Sequence, residues 1–284
     1  MIYFIPWGDE NIASSRLRVF NIIPFIENSF VGTPEQLNSY DMANYAKEYQ
    51  KGDTLVIQKR PAMEELKKAK KAGARVIYDI DDYYWDKPEY QAIIDSADLV
   101  TVDTEEKQKY LDGSVVIPDS LDWDGTYKDK YEHKGIIGWT GYGNNAHYLN
   151  DLKIPEGMKL RLVASPDLFQ YYKDQMAQVR PWSIAMVDKY LAECDLGVYY
   201  LPEKAFENVK GMHKLLKNWA IGLPTYTTAM PDYVKAMHEA GVGEKYLIKT
   251  GEEIKDVPFD ERLRDYAMKY KAEEIAKLWQ KILK

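Results

Sequence analysis

The sequence predicts an α/β protein of two successive domains, each organised on a parallel sheet, and three observations predict it. Short apolar runs, too continuous to have a wet face, alternate with helical patterns from the first residues onward. The alternation lapses into a polar segment rich in Asp, Tyr and Lys over 119–134. It then begins again with the same rhythm, and a repeated strand and helix alternation of this kind builds a parallel sheet covered on both sides.

In the first half, the apolar runs at 2–5, 54–58, 75–80, 99–103 and 115–118 read as strands, and 16–27, 62–72, 90–96 and 104–111 as helices. Thr104 followed by Glu105 and Glu106 has the form of an N-cap with an acidic first turn. Residues 119–134 read as a linker. In the second half, strands are expected at 135–140, 159–165, 196–201, 224–228 and 245–249, and helices at 182–193, 211–221 and 231–240. The tail, 262–284, reads as one long amphipathic helix burying Leu263, Tyr266, Ala267, Tyr270, Ile275, Leu278 and Ile282. No repeat of fixed period and no low-complexity tract interrupts this order.

Composition narrows the classes. With 284 residues, 45% hydrophobic and 29% charged, the chain can bury one large or two small cores, a composition that weighs against disorder. A formal net charge of -7 weighs against a general nucleic-acid or membrane-coating protein. A single cysteine, Cys194, leaves no internal disulfide framework or Cys-based zinc site and fits a reducing, cytoplasmic setting. No window approaches the ~18 apolar residues of a membrane span, and residues 1–6 read as a first strand, too short for a leader. The 23 tyrosines suit either stacking on sugars or bases or ordinary amphipathic packing, the latter being the simpler reading.

Open parallel sheets bind ligands outside the carboxyl ends of their strands, so the loops there are the candidate sites. After the first strand, Ser14 and Ser15 can cap the following helix, with Arg16 and Arg18 near its N-terminus, where they could meet an anion. Lys59 and Arg60 precede a helix-opening Pro61 at the same edge. Asp79, Asp81 and Asp82 close the next strand; such carboxylates can hold a divalent cation with substrate phosphates. Tyr83 stands where aspartate-nucleophile phosphatases carry Thr, and the motif is not at the first strand, so that reading is rejected. The carboxylates are read instead as orienting a substrate or pairing with the Arg16 and Arg18 loop.

In the second half, Gly141 and Gly143 let the backbone turn close to a ligand, and Asn144 can cap the next helix. The third glycine and the ribose-binding acid of a dinucleotide fingerprint are lacking, which disfavours a nicotinamide or flavin enzyme. The four histidines show no metal spacing, and no Ser or Cys sits in a nucleophile elbow. Residues 206–224 are the most distinctive stretch. Read as a helix from Gly211, it places Met212, Leu215, Leu216 and Trp219 on an apolar face, with Lys210, Lys214 and Lys217 opposite. Lysines at a helix N-terminus oppose the macrodipole unless an anion sits there, and phosphate is the natural one; the plainer alternative is a solvated lysine face. His213 lies beside these lysines.

Taken together, Ala13 to Arg18, Tyr78 to Asp82, Ala97 to Val102, Ile117 to Ser120, Ile137 to Gly141, Cys194 to Val198 and Lys214 to Pro224 resemble, in that order, the landmarks of family 4-like glycosyltransferases with the GT-B fold. The resemblance implies two Rossmann-like domains whose parallel sheets face a cleft. Residues 1–125 would form the acceptor-side domain, 126–261 the donor domain, and the C-terminal helix 262–284 would cross back to the first. It implies a retaining, metal-independent enzyme that moves a sugar from a nucleoside diphosphate sugar, such as a UDP-sugar, with no cofactor beyond that co-substrate. Lys210 and Lys214 match diphosphate-binding positions, and Gly141 matches a loop beside the donor phosphate. Thr140, Tyr142, Asn144, Gly211, His213 and Lys217 fall on the same donor side, with Asp195 and Pro202 shaping the nucleotide pocket. Asp81, Asp82 and Arg16 become catalytic candidates, and Ser14, Ser15, Arg18 and Lys59 face the sugar or acceptor.

The chain also departs from that pattern. Relatives often carry two glutamates eight residues apart where this chain has Val209 and Lys217, and many use a first-domain histidine that is lacking here. The acceptor stays open among a polysaccharide, a small molecule, a protein and a hydroxymethylated DNA base. For DNA, Lys67, Lys68, Lys70, Lys71 and Arg75 would track phosphates. A non-catalytic nucleotide-sugar-binding module and a sugar-nucleotide epimerase are the alternative functions.

Overall fold

The computed structural model describes residues 1–32, 49–128, 131, 133–165, 178–201, 209–249, 252, 254–255 and 257–284. They form two compact units, Met1–Ser120 with Val209–Gly211 and Tyr270–Lys284, and Leu121–Asn208 with Met212–Lys269. Each unit carries one parallel sheet with helices, as the alternating sequence pattern predicts.

The strands of the first unit are β1 (Ile2–Ile5), β2 (Ser29–Val31), β3 (Thr54–Gln58), β4 (Arg75–Ile80), β5 (Leu99–Val102) and β6 (Val115–Val116), in the order β2-β1-β3-β4-β5-β6. Their apolar runs are continuous because both faces are covered, and the period of two sorts the side chains. Leu55, Ile57, Val76, Tyr78 and Ile80 join Leu66, Ala69, Tyr90 and Ile93 in one core. Phe4, Val56 and Ile77 face the other way, onto Val19, Ile22, Ile275, Ala276 and Trp279. Residues near the end of the chain therefore complete the core under β1.

The second unit holds β7 (Ile136–Gly141), β8 (Lys159–Ala164), β9 (Gln178–Pro181), β10 (Leu196–Tyr199) and β11 (Thr225–Thr227), in the order β11-β10-β7-β8-β9. Trp139, Leu160, Leu162, Val198 and Tyr226 lie in one core. Ile136, Val163, Leu191, Cys194, Ile221 and Leu223 lie in the other. In each sheet the chain reverses its direction of winding once, between β1 and β3 in the first and between β7 and β10 in the second. Such switch points open crevices at the carboxyl ends of the strands.

Several expected elements take another form. The helix over 16–27 is instead a short turn, Ala13–Ser15, running into a widened π turn, Arg16–Phe20, and then a 3-10 turn, Ile23–Phe25. Pro24 has no N–H with which to continue a helical ladder. The helices expected over 104–111 and 182–193 shrink to Glu105–Gln108, capped by the Thr104 side chain as expected, and Val187–Ala192. Residues 245–249 form no strand, only a single bridge from Leu247 to Thr227. The tail is broken: Glu261–Ala267 belongs to the second unit and Ala272–Ile282 to the first, with a 3-10 turn, Met268–Tyr270, where the chain passes from one to the other. Its second half buries Ile275, Ala276 and Trp279, while Leu278 and Ile282 are only partly covered.

Candidate functional site

At the carboxyl edge of the first sheet, the loop after β1 is knitted to β3. Trp7 N–H donates to Gln58 Oε1 at 2.9 Å, Gly8 N–H to Ser15 Oγ at 2.9 Å, and Ser15 Oγ to Gln58 Oε1 at 3.1 Å. Ser15 is thus a loop tie and not a helix cap; Ser14 lies inside the same short turn, whose preceding residue, Ile12, makes no side-chain cap. Arg16 Nη1 donates to Glu10 O at 2.7 Å. Arg18 is wholly interior. Its Nε and Nη2 hold Asp79 through two bonds of 2.7 and 2.6 Å, and its Nη1 reaches Ile117 O at 2.9 Å and Asp119 Oδ1 at 3.0 Å. Burial works against its charge, yet Asp79, and behind it Asp119 and Asp103, hold it charged well above the ordinary guanidinium value.

Lys59 directly follows β3 with φ 57, a left-handed conformation that costs a side-chain-bearing residue roughly 1 kcal/mol or more and concentrates at functional sites. Its buried ammonium bonds Asp82, lies 3.7 Å from Asp81 Oδ1, and sits 5.7 and 5.5 Å from the ring centroids of Trp7 and Tyr84. Lys210 Nζ approaches Asp82 Oδ1 to 3.6 Å from the 209–211 segment of the same unit. Beside them Lys107 bonds the Asp103 carboxylate and also donates to Asp81 O at 2.5 Å. Gly211 passes so close that a Cβ there would lie 2.5 Å from Asp103 Oδ2 and 3.2 Å from Asp119 Oδ2.

This crowding separates the carboxyl groups. Burial raises Asp81 against the pull of Lys59. For Asp82 burial is outweighed by Lys59 and Lys210, so it stays ionised below the ordinary range. Burial pushes Asp103 up to about 7 although Lys107 opposes it. Neighbouring acids driven apart in this way are suited to divide proton-holding and charge-stabilising roles. A stability consequence follows with a definite sign. Between the ordinary carboxylate range and about pH 7, the folded protein holds a proton on Asp103 that the unfolded chain has released. This contribution is therefore present at low pH and lost as pH rises toward 7. Urea unfolding across that window should show a shallower slope with pH for Asp103→Asn; an unchanged slope would place the titration elsewhere.

In the second unit, Gly141 ends β7 and Lys214 is the second residue of the helix His213–Ile221. A Cβ on Gly141 would meet the Trp139 ring at 2.6 and 2.8 Å and Lys214 Nζ at 3.1 Å, so only glycine lets the backbone pass there. The same ammonium lies 4.9 Å from the centroid of Tyr199, the last residue of β10. Lys214 therefore occupies the crevice between β7 and β10, at the switch point of the sheet. The first turn of its helix adds N–H groups that no carbonyl of the helix can accept from, and the positive end of the macrodipole. Leu215, Leu216, Trp219 and Ile221 fix the helix in the core. Tyr142 is 53% exposed at the same edge, whereas the Thr140 hydroxyl donates inward to Val163 O at 2.9 Å.

No protein-family model and no curated protein sequence matches the chain. Solved structures do. The pneumococcal O-GlcNAc transferase GtfA, in complex with UDP and GlcNAc, superposes with a TM-score of 0.54 at 12% identity, covering 85% of this chain and 58% of that one. OtsA, in an apo structure, gives 0.58 at 11% identity over 86% of this chain and 74% of its own. A trehalose-6-phosphate synthase, analysed with bisubstrate glycomimetics of glycosyl transfer with retention, gives 0.55 at 12% identity, with coverages of 82% and 74%. The chain has the GT-B fold. It spans less than two thirds of the length of GtfA.

Within this GT-B chain the expected lysine face is dispersed. Lys210 precedes the helix and meets Asp82 in the first unit, and His213 opens the helix beside Lys214. Lys217 is buried, donating to Asp188 Oδ1 at 2.6 Å and lying 3.3 Å from Asp122 Oδ2. It is an internal tie and not part of a solvated face. Arg18 is likewise an interior clamp and does not face sugar or acceptor as the resemblance implies. Asn144 lies within a 3-10 helix, Gly143–Asp151, whose N-cap residue is Tyr142. Asp195 accepts from Lys134 N–H and Ile136 N–H at the amino ends of the strands, opposite the ligand edge, which removes it from a nucleotide pocket there. Pro202 and the beginning of the 206–224 stretch lie outside the described residues. Burial pushes the Cys194 thiol up to about 12, so it is no nucleophile. Among the described residues no trio of His, Cys, Asp or Glu is arranged to hold a metal ion, and no helix is long and apolar enough to cross a membrane. Sequence reading missed Asp103 and Lys107, although an Asp at a strand end, a capping Thr and a Lys at i+4 were a usable signal.

Proposed function

We propose that the protein is a retaining, metal-independent glycosyltransferase that uses a nucleoside diphosphate sugar. The observation that carries this reading is the placement of Lys214 beside Gly141 at the N-terminus of its helix, in the switch-point crevice of a GT-B fold. As the donor bond breaks, negative charge grows on the departing diphosphate. A fixed ammonium and a helix N-terminus stabilise that charge where it develops, doing the work a divalent cation does in other transferases. GtfA, bound to UDP and GlcNAc, and the trehalose-6-phosphate synthase acting with retention support the donor class and the stereochemical course by analogy of fold.

On this reading Tyr142 borders the donor and Gly141 leaves room for it. Ionised Asp82, held by Lys59 and Lys210, supplies negative charge for an oxocarbenium-like centre, and Asp81 orients hydroxyl groups. Arg16, whose Nη1 donates to Glu10 O, is a further candidate on the loop after β1, with Ser14 in the turn just before it.

Lys214→Ala is expected to weaken binding of a nucleoside diphosphate by about tenfold to a hundredfold, the range of one charged hydrogen bond. Titration calorimetry with UDP, GDP and TDP reads this directly. Unchanged affinity for all of them would sink the assignment, as would donor hydrolysis that vanishes in EDTA for the metal-free mechanism. A second reading, a nucleotide-sugar-binding module without turnover, draws on the burial of both Val209 and Lys217, which present no carboxylate to a donor. Tight donor binding with no hydrolysis or transfer would favour it.

A further inference from the structure

We infer that the acceptor is a neutral glycan and that Tyr83, Trp85 and Tyr110 form the surface on which it stacks; the inference rests on the transferase reading above. The three rings come from two separate loops of the first unit. Tyr83 and Trp85 directly follow Asp82, and Tyr110 follows the helix Glu105–Gln108. Tyr83 and Trp85 have centroids 4.5 Å apart, Trp85 stacks on Tyr110 at 5.4 Å and 26°, and Tyr83 meets Tyr110 edge-on at 6.5 Å.

None of these rings is fully buried. Tyr110 is 48% exposed and Tyr83 and Trp85 are half-buried, Trp85 resting on the core as Tyr84 does, whereas Tyr90 is interior. Some of the tyrosines thus serve packing and some are presented at the surface. Aromatic faces bind the C–H face of a sugar ring, while carboxylates take its hydroxyls, and both lie here within one stretch of chain. Asp81 supplies the second half of that pairing. Its side chain is 10% exposed, and its Oδ1 accepts no hydrogen bond from the described residues, with Lys59 Nζ at 3.7 Å beyond bonding reach. A buried carboxylate oxygen without a donor is suited to a ligand hydroxyl.

Charge selects a glycan over nucleic acid. Among the charged side chains of residues 81–112, Asp86, Glu89, Asp95, Asp98, Glu105 and Asp112 are exposed, against Lys87 and Lys109. Lys107 is bonded to Asp103, and Lys109 to Glu106. A phosphate backbone would be repelled from such a surface. The lysine-rich helix Met63–Lys71 is no substitute as a phosphate track, because Lys67, Lys68 and Lys70 each pair with a carboxylate and Arg75 bonds the carbonyls of Ile282 and Lys284.

The test titrates the full chain, without donor, against short neutral malto-, cello-, manno- and chito-oligosaccharides and against a single-stranded DNA oligonucleotide. Tyr110→Ala and Trp85→Ala are measured alongside, with circular dichroism as a check of folding and UDP, GDP and TDP binding on the same samples. At least one oligosaccharide should bind, and each variant should weaken it by about tenfold or more while nucleotide affinity is unchanged. Binding of DNA but of no oligosaccharide overturns the inference. So does the lack of any oligosaccharide binding, or wild-type affinity in the well-exposed Tyr110→Ala variant. Should no nucleotide bind while the variants still lose the oligosaccharide, the transferase reading fails and the glycan surface stands.

Discussion

Replacing Arg18 or Asp79 singly by Ala should destabilise the first unit by about 3–5 kcal/mol, because each leaves the other charge buried and uncompensated. The two side chains are 0% and 1% exposed and share two hydrogen bonds, and Thr101 Oγ1 donates a third to Asp79 at 2.7 Å. Paired replacement, Arg18→Met with Asp79→Leu, should recover part of that loss, since it removes these two desolvated charges together while Asp119 loses its guanidinium partner. Urea unfolding of the two single variants and the double variant tests this. A loss for either single variant near the ~0–1 kcal/mol of an exposed ion pair would show that the clamp is solvated.

Trp279→Ala should cost about 3–5 kcal/mol, the usual loss for an aromatic side chain deleted from a packed core. Trp279 is 1% exposed, lies edge to face on Phe4 at 6.0 Å, and sits among Ile22, Val56, Ile77 and Ile275. Leu278→Ala, one residue away on the partly covered side, is the control and should lose clearly less. Equal losses would mean that this helix is held by its propensity and not by its seat under β1.

The contrast between these neighbours shows what was legible in the sequence. The strands that pack on both faces, such as β3 and β4, were readable because an unbroken apolar run of that length fits a strand covered from both sides. The strands at the sheet edges, β2 and β9, were not, since Ser29–Val31 is short and Gln178–Pro181 is polar and ends in a proline. The stripe of the last helix was misplaced because a single period was carried through 268–270, where the chain changes unit. At the site, Gly141 and Lys214 were readable from their places after a strand and at a helix start. The pairing of Arg18 with Asp79 was one of the two readings the carboxylates left open, whereas the burial of Lys217 was not readable, because nothing local shows whether a basic side chain turns outward or meets a distant carboxylate, as Lys217 does with Asp188. Tyr110 was hidden for the same reason, its partners lying in another loop.

The passage of residues 270–284 into the first unit also sets a schedule for synthesis. Domains generally fold as they leave the ribosome, N-terminal first. Here the sheet that emerges first has Phe4, Val56 and Ile77 only partly covered, by Val19 and Ile22, until Ile275, Ala276 and Trp279 have been made. The second unit, whose last residues precede them, can complete its fold beforehand. A chain halted by a premature stop at residue 270 is therefore expected to be a substrate for chaperones and proteases, with its earliest-made half the part left unfinished.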